Sequence, residues 1–361
     1  MKAFIFFGFI YTFMFPMGCG EVFDNDGNSA SANQNGQNGW AIPRDQVFNG
    51  GPGKDGIPAL TEPVFISARS ADYLDEDDLV MGFVHGDDAR AYPHSILDWH
   101  EIINDRIGEA DIAVTYCPLT GTGIGWNREI GGQVTTFGVS GLLFNSNLIP
   151  YDRETDSNWS QIRLDCVQGK LKGRQVETIP MLETTWRTWK QMYPETKVIS
   201  EHTGYNRNYG QYPYGNYRSD HDMMLFPVAN RDDRIPGKER VLGIIGPEDV
   251  RVYRFEAFGD KVAVLHDTLG GKHVVITGNQ KDHFMLAFIN DPGDGTRLSF
   301  SAVQDSYPVV MSDEDGNIWD VHGRAVAGPR KNERLEILPS FMGYCFSFAA
   351  FYPELSIYGS S

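Results

Sequence analysis

The chain has 361 residues, and its 31 lysines and arginines against 48 aspartates and glutamates give a formal net charge of −17. This charge excludes binding of nucleic acid through phosphate neutralisation and electrostatic docking on anionic lipid. Hydrophobic residues make up 41% of the chain, so it can bury a core in one large domain or two smaller ones, whereas four cysteines are too few for a disulfide scaffold.

Residues 1–18 have the pattern of a signal peptide. Lys2 precedes an apolar run over residues 3–15, which is shorter than the roughly 20 residues that a membrane-spanning helix needs. Gly18 and Cys19 then resemble a bacterial lipoprotein signal, in which the cysteine is lipidated and becomes the mature N-terminus. The alternative is ordinary secretion, with Cys19 removed or left free.

The segment after the signal is expected to be a tether. Residues 20–39 are rich in Asn, Gly, Ser and Gln, so they bury too little apolar surface to offset the entropy of ordering. We therefore assign residues 19–56 to the lipidated Cys19 and a flexible tether. Together these features predict a lipoprotein that is exported to the bacterial cell envelope and anchored to a membrane through its lipid.

The remaining sequence is similar to itself at a spacing of about 160 residues. Residues 80–92 and 241–253 share five of thirteen residues at an offset of 161, and each has the pattern of a β-hairpin. Residues 185–198 and 344–357 both read as a helix that stops at Tyr-Pro, because proline cannot continue a helix.

These repeats predict an α+β, strand-rich and internally duplicated fold, with two pseudo-symmetric halves that each contain short helices. The first repeat covers residues 57–200 and the second covers residues 240–361. Residues 201–239 form a connecting segment rich in tyrosine. Its aromatic rings suit the binding of sugars or peptides, but we expect that they mainly pack the two halves together.

The duplication separates scaffold residues from candidates for function. Residues that occur in both copies are interpreted as scaffold, which applies to the pairs Trp159 and Trp319, and Arg90 and Arg251. His100 and Cys117 occur in the first copy only, since Lys261 and Gly278 stand at the equivalent positions.

The first copy therefore holds the candidate site. Residues 94–104 read as a short helix, in which Ser95 and Asp98 have the spacing of a capping box. The strand 112–116 follows, and Cys117 stands at its end before a glycine-rich loop.

Three interpretations of this pair remain open. In the first interpretation, Cys117 acts as a nucleophile or redox thiol, and His100 lowers the pKa of the thiol or acts as its base. Alternatively, His100 and Cys117 bind zinc or copper, with His94 or His85 as a further ligand. In the third interpretation Cys117 is a buried cysteine that only packs.

The motifs GDDARAYPHSILDWHEIIND, VTYCPLTGT and FGVSGLLFNSNLIPYDRETDSNWSQ resemble a bacterial family of uncharacterised proteins, domain-of-unknown-function family 3179. The resemblance extends from about residue 57 to residue 358 and implies no activity. Its loop is usually Cys-Pro-Leu-Cys, but Thr120 stands here in place of the second cysteine. The usual tryptophan of the last helix is replaced by Cys345.

Polar residues in these motifs are the candidates for ligand binding. Some follow His100 at positions that match the family pattern, and others lie in the loop after Cys117. Ser140, Asn145 and Asn147 lie among strand-like residues, where they either line a pocket or satisfy turns. The candidates are Glu101, Asn104, Asp105, Thr120, Thr122, Ser140, Asn145 and Asn147.

Two classes of function follow. The first is a non-catalytic protein that binds a ligand or a partner through a site in the first repeat. The second is a thiol- or metal-dependent enzyme centred on Cys117 and His100. If Cys19 is lipidated, at most one disulfide forms among the other cysteines; a pair between Cys166 and Cys345 leaves Cys117 free.

Overall fold

The computed structural model describes residues 39–360. The predicted signal peptide, Cys19 and the tether up to residue 38 lie outside the described residues. Within them the fold is α+β and mostly β, with three short helices and 28 strands. No described helix is long and apolar enough to cross a membrane.

The helices are α1 (His94–His100), α2 (Trp186–Met192) and α3 (Cys345–Phe351). The strands before residue 201 are β1 (Val47–Asn49), β2 (Leu60–Thr61), β3 (Phe65–Ser67), β4 (Leu79–His85), β5 (Asp88–Pro93), β6 (Ile102–Ile107), β7 (Ala110–Cys117), β8 (Thr122–Asn127), β9 (Glu129–Ile130), β10 (Gln133–Val134), β11 (Phe137–Phe144), β12 (Asn147–Asp152), β13 (Asn158–Ser160), β14 (Asp165–Gln168), β15 (Thr178–Ile179), β16 (Leu182–Thr185) and β17 (Lys197–Ile199). The later strands are β18 (Arg240–Ile245), β19 (Val250–Arg254), β20 (Ala263–Leu269), β21 (Lys272–Asn279), β22 (Phe284–Ile289), β23 (Phe300–Ala302), β24 (Val309–Asp313), β25 (Ile318–Asp320), β26 (Ala325–Ala327), β27 (Ser340–Tyr344) and β28 (Ser356–Ile357).

The strands form sheets whose orders correspond between the two halves. Strands β16-β4-β5-β17 lie in the order that β27-β18-β19-β28 have in the second half. The meander β6-β7-β8 has a counterpart in β20-β21-β22, and β11-β12-β13-β14 has one in β23-β24-β25-β26.

The predicted hairpins and Tyr-Pro helices are present. β4 and β5 pair antiparallel, as do β18 and β19. Helices α2 and α3 end before Tyr193-Pro194 and Tyr352-Pro353. After each helix the chain forms a strand parallel to the second strand of the hairpin, so β17 pairs with β5 and β28 pairs with β19. Proline therefore stops both helices at the point where the strand must begin.

The helix predicted over residues 94–104 is shorter than expected. α1 ends at His100, and Glu101 has a φ of +57°, which turns the chain into β6. The predicted capping box is not formed, because Pro93 is the N-cap and no side chain caps the helix. Ile103, which lies within the predicted helix, therefore belongs to a strand.

Part of the segment that we assigned to the tether is structured. Residues 47–49 form β1, which pairs antiparallel with β11. Ile42 and Val47 are buried, so this stretch contributes apolar surface to the core.

The hydrophobic core joins the two halves. One cluster of buried side chains contains Trp186 and Trp189 of α2 together with Phe288 and Trp319 of the second half. Another contains Phe348 of α3 together with aromatic and aliphatic side chains of the first half. Helices α2 and α3 therefore each lie in a core to which the other half of the chain contributes.

Glycine in the hairpin strands makes this helix packing possible. A Cβ atom at Gly82 would lie 2.2 Å from the ring of Trp189, and one at Gly243 would lie 2.0 Å from the ring of Phe348. Both distances are far below van der Waals contact, so any side chain there would displace the aromatic ring from the strand.

An arginine, a tyrosine and an aspartate form the same arrangement in each half. Arg90 and Tyr92 donate to Asp105, with Arg90 Nη1 at 2.9 and 2.8 Å from its two oxygens. In the second half, Arg251 and Tyr253 donate to the carboxylate of Asp267. Trp159 likewise donates to Asp152, as Trp319 does to Asp313.

We predict that Asp105→Ala destabilises the protein more than Asp267→Ala does. The side chain of Asp105 is 5% exposed and that of Asp267 is 16% exposed. Removing the Asp105 carboxylate therefore leaves donors of Arg90 and Tyr92 without a partner at a more deeply buried position. The expected cost for Asp105→Ala is about 3 kcal/mol, at the lower end for a broken buried pair, because Arg90 retains Asp88. Denaturant-induced unfolding measures both values.

The control is Asp87→Ala in the turn of the first hairpin, where the aspartate is exposed and the expected change is within about 0.5 kcal/mol. Equal losses for the variants at Asp105 and Asp267 would contradict the assignment.

Candidate functional site

Three of the predicted ligand-binding residues form one buried network. Thr120, Thr122 and Asn147 are 0% exposed and hydrogen-bond to one another. Gln161 completes the network, because its Oε1 accepts from Thr122 and Asn147 and its Nε2 donates to Thr115 Oγ1. The network ties β7 and β8 to β12, and its polar groups have partners inside the protein.

Other predicted residues also bond to the backbone. Asn145 donates to Ala350 O and accepts from Ala229 N, so it joins the first half to α3. Ser140 accepts from Leu142 N at an irregularity in the pairing of β11 with β12. Their predicted role in binding stays a prediction.

Asn104 bonds to the backbone of neighbouring segments, whereas Asp105 bonds to the side chains of β5. Asn104 donates to Leu60 O and Phe137 O and accepts from Phe137 N. Asp105 accepts from Arg90 and Tyr92, as described above. Both side chains are buried and thus hold strands in register.

His100 is buried between two oxygen atoms. Its Nδ1 lies 2.7 Å from Pro58 O, and its Nε2 lies 2.7 Å from the hydroxyl of Tyr209 in the connecting segment. Burial lowers the pKa of His100 below its ordinary value, although the contact with Pro58 opposes this shift. Both ring nitrogens therefore have protein partners.

Cys117 lies at the end of β7, as predicted, and is 1% exposed. Burial raises the pKa of its thiol to about 11, and the neighbouring Glu101 carboxyl adds to this shift. The thiol lies 3.6 Å from Ser146 O and makes no hydrogen bond to His100 among the described contacts. This environment favours the neutral thiol over the reactive thiolate.

Cys166 and Cys345 are also free buried thiols, so the pairing considered for them is not formed. Within residues 39–360, no group of three or more His, Cys, Asp or Glu side chains is arranged to hold a metal ion. Since both nitrogens of His100 already have partners, the residues around Cys117 do not fit a zinc or copper site.

Glu101 is the most unusual of the predicted residues. Its φ of +57° is rare for a residue with a side chain, and its carboxyl makes no hydrogen bond within the described part of the chain. Burial raises its pKa from 4.5 to about 8. The carboxyl is therefore largely protonated at neutral pH.

A cavity beside α1 brings together polar residues that the sequence analysis did not select. We call this cavity the α1 pocket. It has a volume of about 460 Å³ and lies where the first half, the connecting segment and the second half meet. The lining residues on which its chemistry depends are His94, Ser95, Asp98, Tyr116, Arg240 and Tyr344.

Three buried polar atoms of α1 have no hydrogen-bond partner in the described structure. They are Nε2 of His94, Oγ of Ser95 and Oδ1 of Asp98. All three residues lie on the side of α1 that lines the pocket, whereas Ile96 and Leu97 point into the core. Buried polar groups almost always have partners, so these three require an explanation.

A buried ion pair lies next to the pocket. Arg240 at the start of β18 donates to both oxygens of Glu183 in β16, and it also donates to Gly121 O at 3.0 Å. Burial alone would raise the pKa of Glu183, but the positive charge of Arg240 holds it well below the ordinary range. The pair joins the two halves and places a guanidinium at the pocket wall.

Burial shifts the pKa of the acid Asp98 and of the base His94 in the direction that favours the uncharged form of each. Burial raises the pKa of Asp98 to about 7, although the charges of Arg218 and Arg240 oppose the shift. Burial lowers the pKa of His94, although Glu183 raises it. His94 Nε2 lies 3.3 Å from Glu183 Oε2 without the alignment of a hydrogen bond.

One signal in the sequence could have found the pocket residues. At the offset of 161, His94, Ser95 and Asp98 stand opposite Phe255, Glu256 and Gly259, so the second half lacks this set of side chains at the matching positions. The interpretation of Ser95 and Asp98 as a capping box assigned them to helix formation. His94 was considered only as a metal ligand.

The chain belongs to the family described as protein of unknown function (DUF3179), whose model matches residues 54–355. No curated protein and no solved structure matches the chain.

We predict that Glu101→Gln stabilises the protein increasingly as the pH rises. Because the folded-state pKa of Glu101 is raised, the folded protein binds more protons than the unfolded chain between pH 4.5 and about 8. The wild type therefore loses stability across this window, whereas glutamine carries no charge. The expected gain above pH 8 is on the order of a few kcal/mol.

Denaturant-induced unfolding at pH 4.5, 6 and 8 measures this gain. Glu109→Gln is the control, because Glu109 is exposed on the neighbouring turn between β6 and β7. A stability difference between Glu101→Gln and the wild type that does not change with pH would contradict the prediction.

Proposed function

We propose that this protein binds a small molecule in the α1 pocket. The observation that carries the proposal is the set of three unpartnered buried atoms on His94, Ser95 and Asp98, all lining one cavity. A ligand with hydroxyl, amide or carboxyl groups supplies the missing partners. The volume of about 460 Å³ falls within the roughly 300–1,000 Å³ of small-molecule sites.

This proposal places the binding site in the first repeat but moves it from Cys117 to α1. The thiol- or metal-dependent alternative has weaker support. Burial keeps the thiol of Cys117 protonated, and His100 is occupied by Pro58 and Tyr209.

We predict that the ligand loses affinity when α1 loses its polar groups. A thermal-shift screen of soluble sugars, amino acids, carboxylic acids and nucleosides identifies ligands, since a ligand that binds the folded state raises the melting temperature. Calorimetric titration then compares wild type with Asp98→Ala and Ser95→Ala. We expect the Kd to rise about tenfold for each lost hydrogen bond.

Asp260→Ala is the matched control, because Asp260 is exposed in the corresponding stretch of the second half. A ligand whose affinity is the same in both α1 variants binds elsewhere and would overturn the assignment of the site. The absence of any ligand would overturn the proposed function.

We also propose that the protein is a lipoprotein of the bacterial cell envelope, which is supported by Lys2, the apolar run and Cys19. The prediction is that Cys19→Ser in the full chain moves the protein from the membrane fraction to the soluble fraction and removes the lipid mass. Ser29→Ala in the tether is the control. Membrane association that persists in Cys19→Ser would contradict lipid anchoring at this residue.

A duplication is the proposed origin of the two halves. It is supported by the similarity of residues 80–92 and 241–253, by the matching strand orders and by the paired Arg-Tyr-Asp arrangements. Under this proposal the α1 pocket is a feature that only one copy acquired or kept.

A further inference from the structure

The walls of the α1 pocket are rich in tyrosine. Five tyrosines line it, and two of them come from the connecting segment. The five are Tyr73, Tyr116, Tyr209, Tyr212 and Tyr344. Their rings offer flat apolar faces, while a tyrosine also carries a polar tip that bonds to ligands or water.

Two of these hydroxyls remain free for a ligand. Tyr73, Tyr209 and Tyr212 bond to Ile199 O, His100 and Pro118 O respectively. Among residues 39–360, the hydroxyls of Tyr116 and Tyr344 have no hydrogen-bond partner, and both rings are nearly buried. The ring of Tyr116 also lies 4.5 Å from that of His94, next to the unpartnered atoms of α1.

The charges around the pocket nearly cancel. The lining contains three cationic side chains and four carboxyls. Two of these charges are balanced by partners outside the lining, because Arg240 pairs with Glu183 and Asp77 pairs with Arg187. One of the carboxyls is Asp98, and burial raises its pKa to about 7. The lining therefore favours neither a strongly anionic nor a strongly cationic ligand.

The unpartnered groups are hydroxyl, carboxyl and imidazole, which include both donors and acceptors. A sugar hydroxyl both donates and accepts, so it can pair with each of them, and the apolar face of a sugar ring can pack on a tyrosine. An amino acid or a nucleotide would instead bring a net charge or a zwitterion into this balanced lining.

We propose that the α1 pocket binds an uncharged mono- or disaccharide. Its hydroxyls hydrogen-bond Ser95, Asp98 and the free hydroxyls of Tyr116 and Tyr344, and its ring packs against the half-buried rings of Tyr73 and Tyr212. This inference rests on the proposed function, because it names the chemical class of the ligand at the same site. It also gives the connecting segment a second role besides packing the halves together, since Tyr209 and Tyr212 form part of the pocket.

The test is calorimetric titration of the full chain with glucose, galactose, N-acetylglucosamine, maltose and cellobiose. Glucuronate and glucosamine are the charged counterparts of glucose. We expect at least one neutral sugar to bind saturably, with an affinity at least about tenfold higher than that of its charged counterpart. Tenfold tighter binding of glucuronate or glucosamine would overturn the inference.

Variants locate the sugar. Asp98→Ala is expected to raise the Kd about tenfold, and Tyr344→Phe, which removes only the hydroxyl, is expected to raise it by a similar factor. Tyr205→Leu is the control, because Tyr205 is 46% exposed and does not line the pocket. Ser95→Ala changes only one small side chain, so it provides a second test of the contact to α1 if the larger substitutions disturb folding.

The two proposals fail in different ways. If a non-saccharide ligand binds and loses affinity in Asp98→Ala and Ser95→Ala, the proposed function stands and the saccharide inference is wrong. If sugars bind equally to wild type and to both α1 variants, the site is wrong. If no compound of any class binds, both proposals are wrong.

Discussion

The aromatic side chains of two short helices hold this protein together, because each helix lies in a core that the other half helps to build. Trp186 and Trp189 belong to the same buried cluster as Trp319, and Phe348 belongs to a cluster that contains Trp126. Large aromatic rings contribute much of the apolar surface that a core buries. Neither half can therefore bury its own helix without the other, and the pair folds as one unit.

This shared core creates the α1 pocket. The pocket lies between α1, the connecting segment and the start of β18, so its walls come from both halves. The ion pair between Glu183 and Arg240 crosses the same junction. Burial makes such a pair costly to leave unmatched, so the pair helps to set how the halves meet and where the guanidinium stands.

The local patterns of the sequence predicted much of the fold. The hairpins β4-β5 and β18-β19 follow from a hydrophobic run, an acidic turn and a second short run, and α2 and α3 stop at Tyr-Pro because proline lacks the required N–H. The end of α1 was missed, since the positive φ of Glu101 leaves no mark that distinguishes it from another helical glutamate. Membership in the family was also evident from the motifs around Cys117.

The candidate site was predicted less well, because residue type does not reveal which polar atoms find partners. Thr120, Thr122 and Asn147 look like pocket residues in the sequence, but they satisfy one another inside the protein. Ser95 and Asp98 look like helix-capping residues, but their polar atoms have no partner in the described structure. Whether a polar atom is satisfied depends on strands and segments far away in the chain.

The composition and net charge by themselves excluded nucleic acid and anionic lipid as electrostatic partners, and the spacing of the repeats and the prolines determined the hairpins and two of the helices. These are local properties, because periodicity and backbone chemistry act within a few residues. Only the tertiary structure decided that Cys117 and His100 lie buried with protein partners while α1 faces a cavity. Burial and charge balance come from packing between distant segments, which no single stretch of sequence contains.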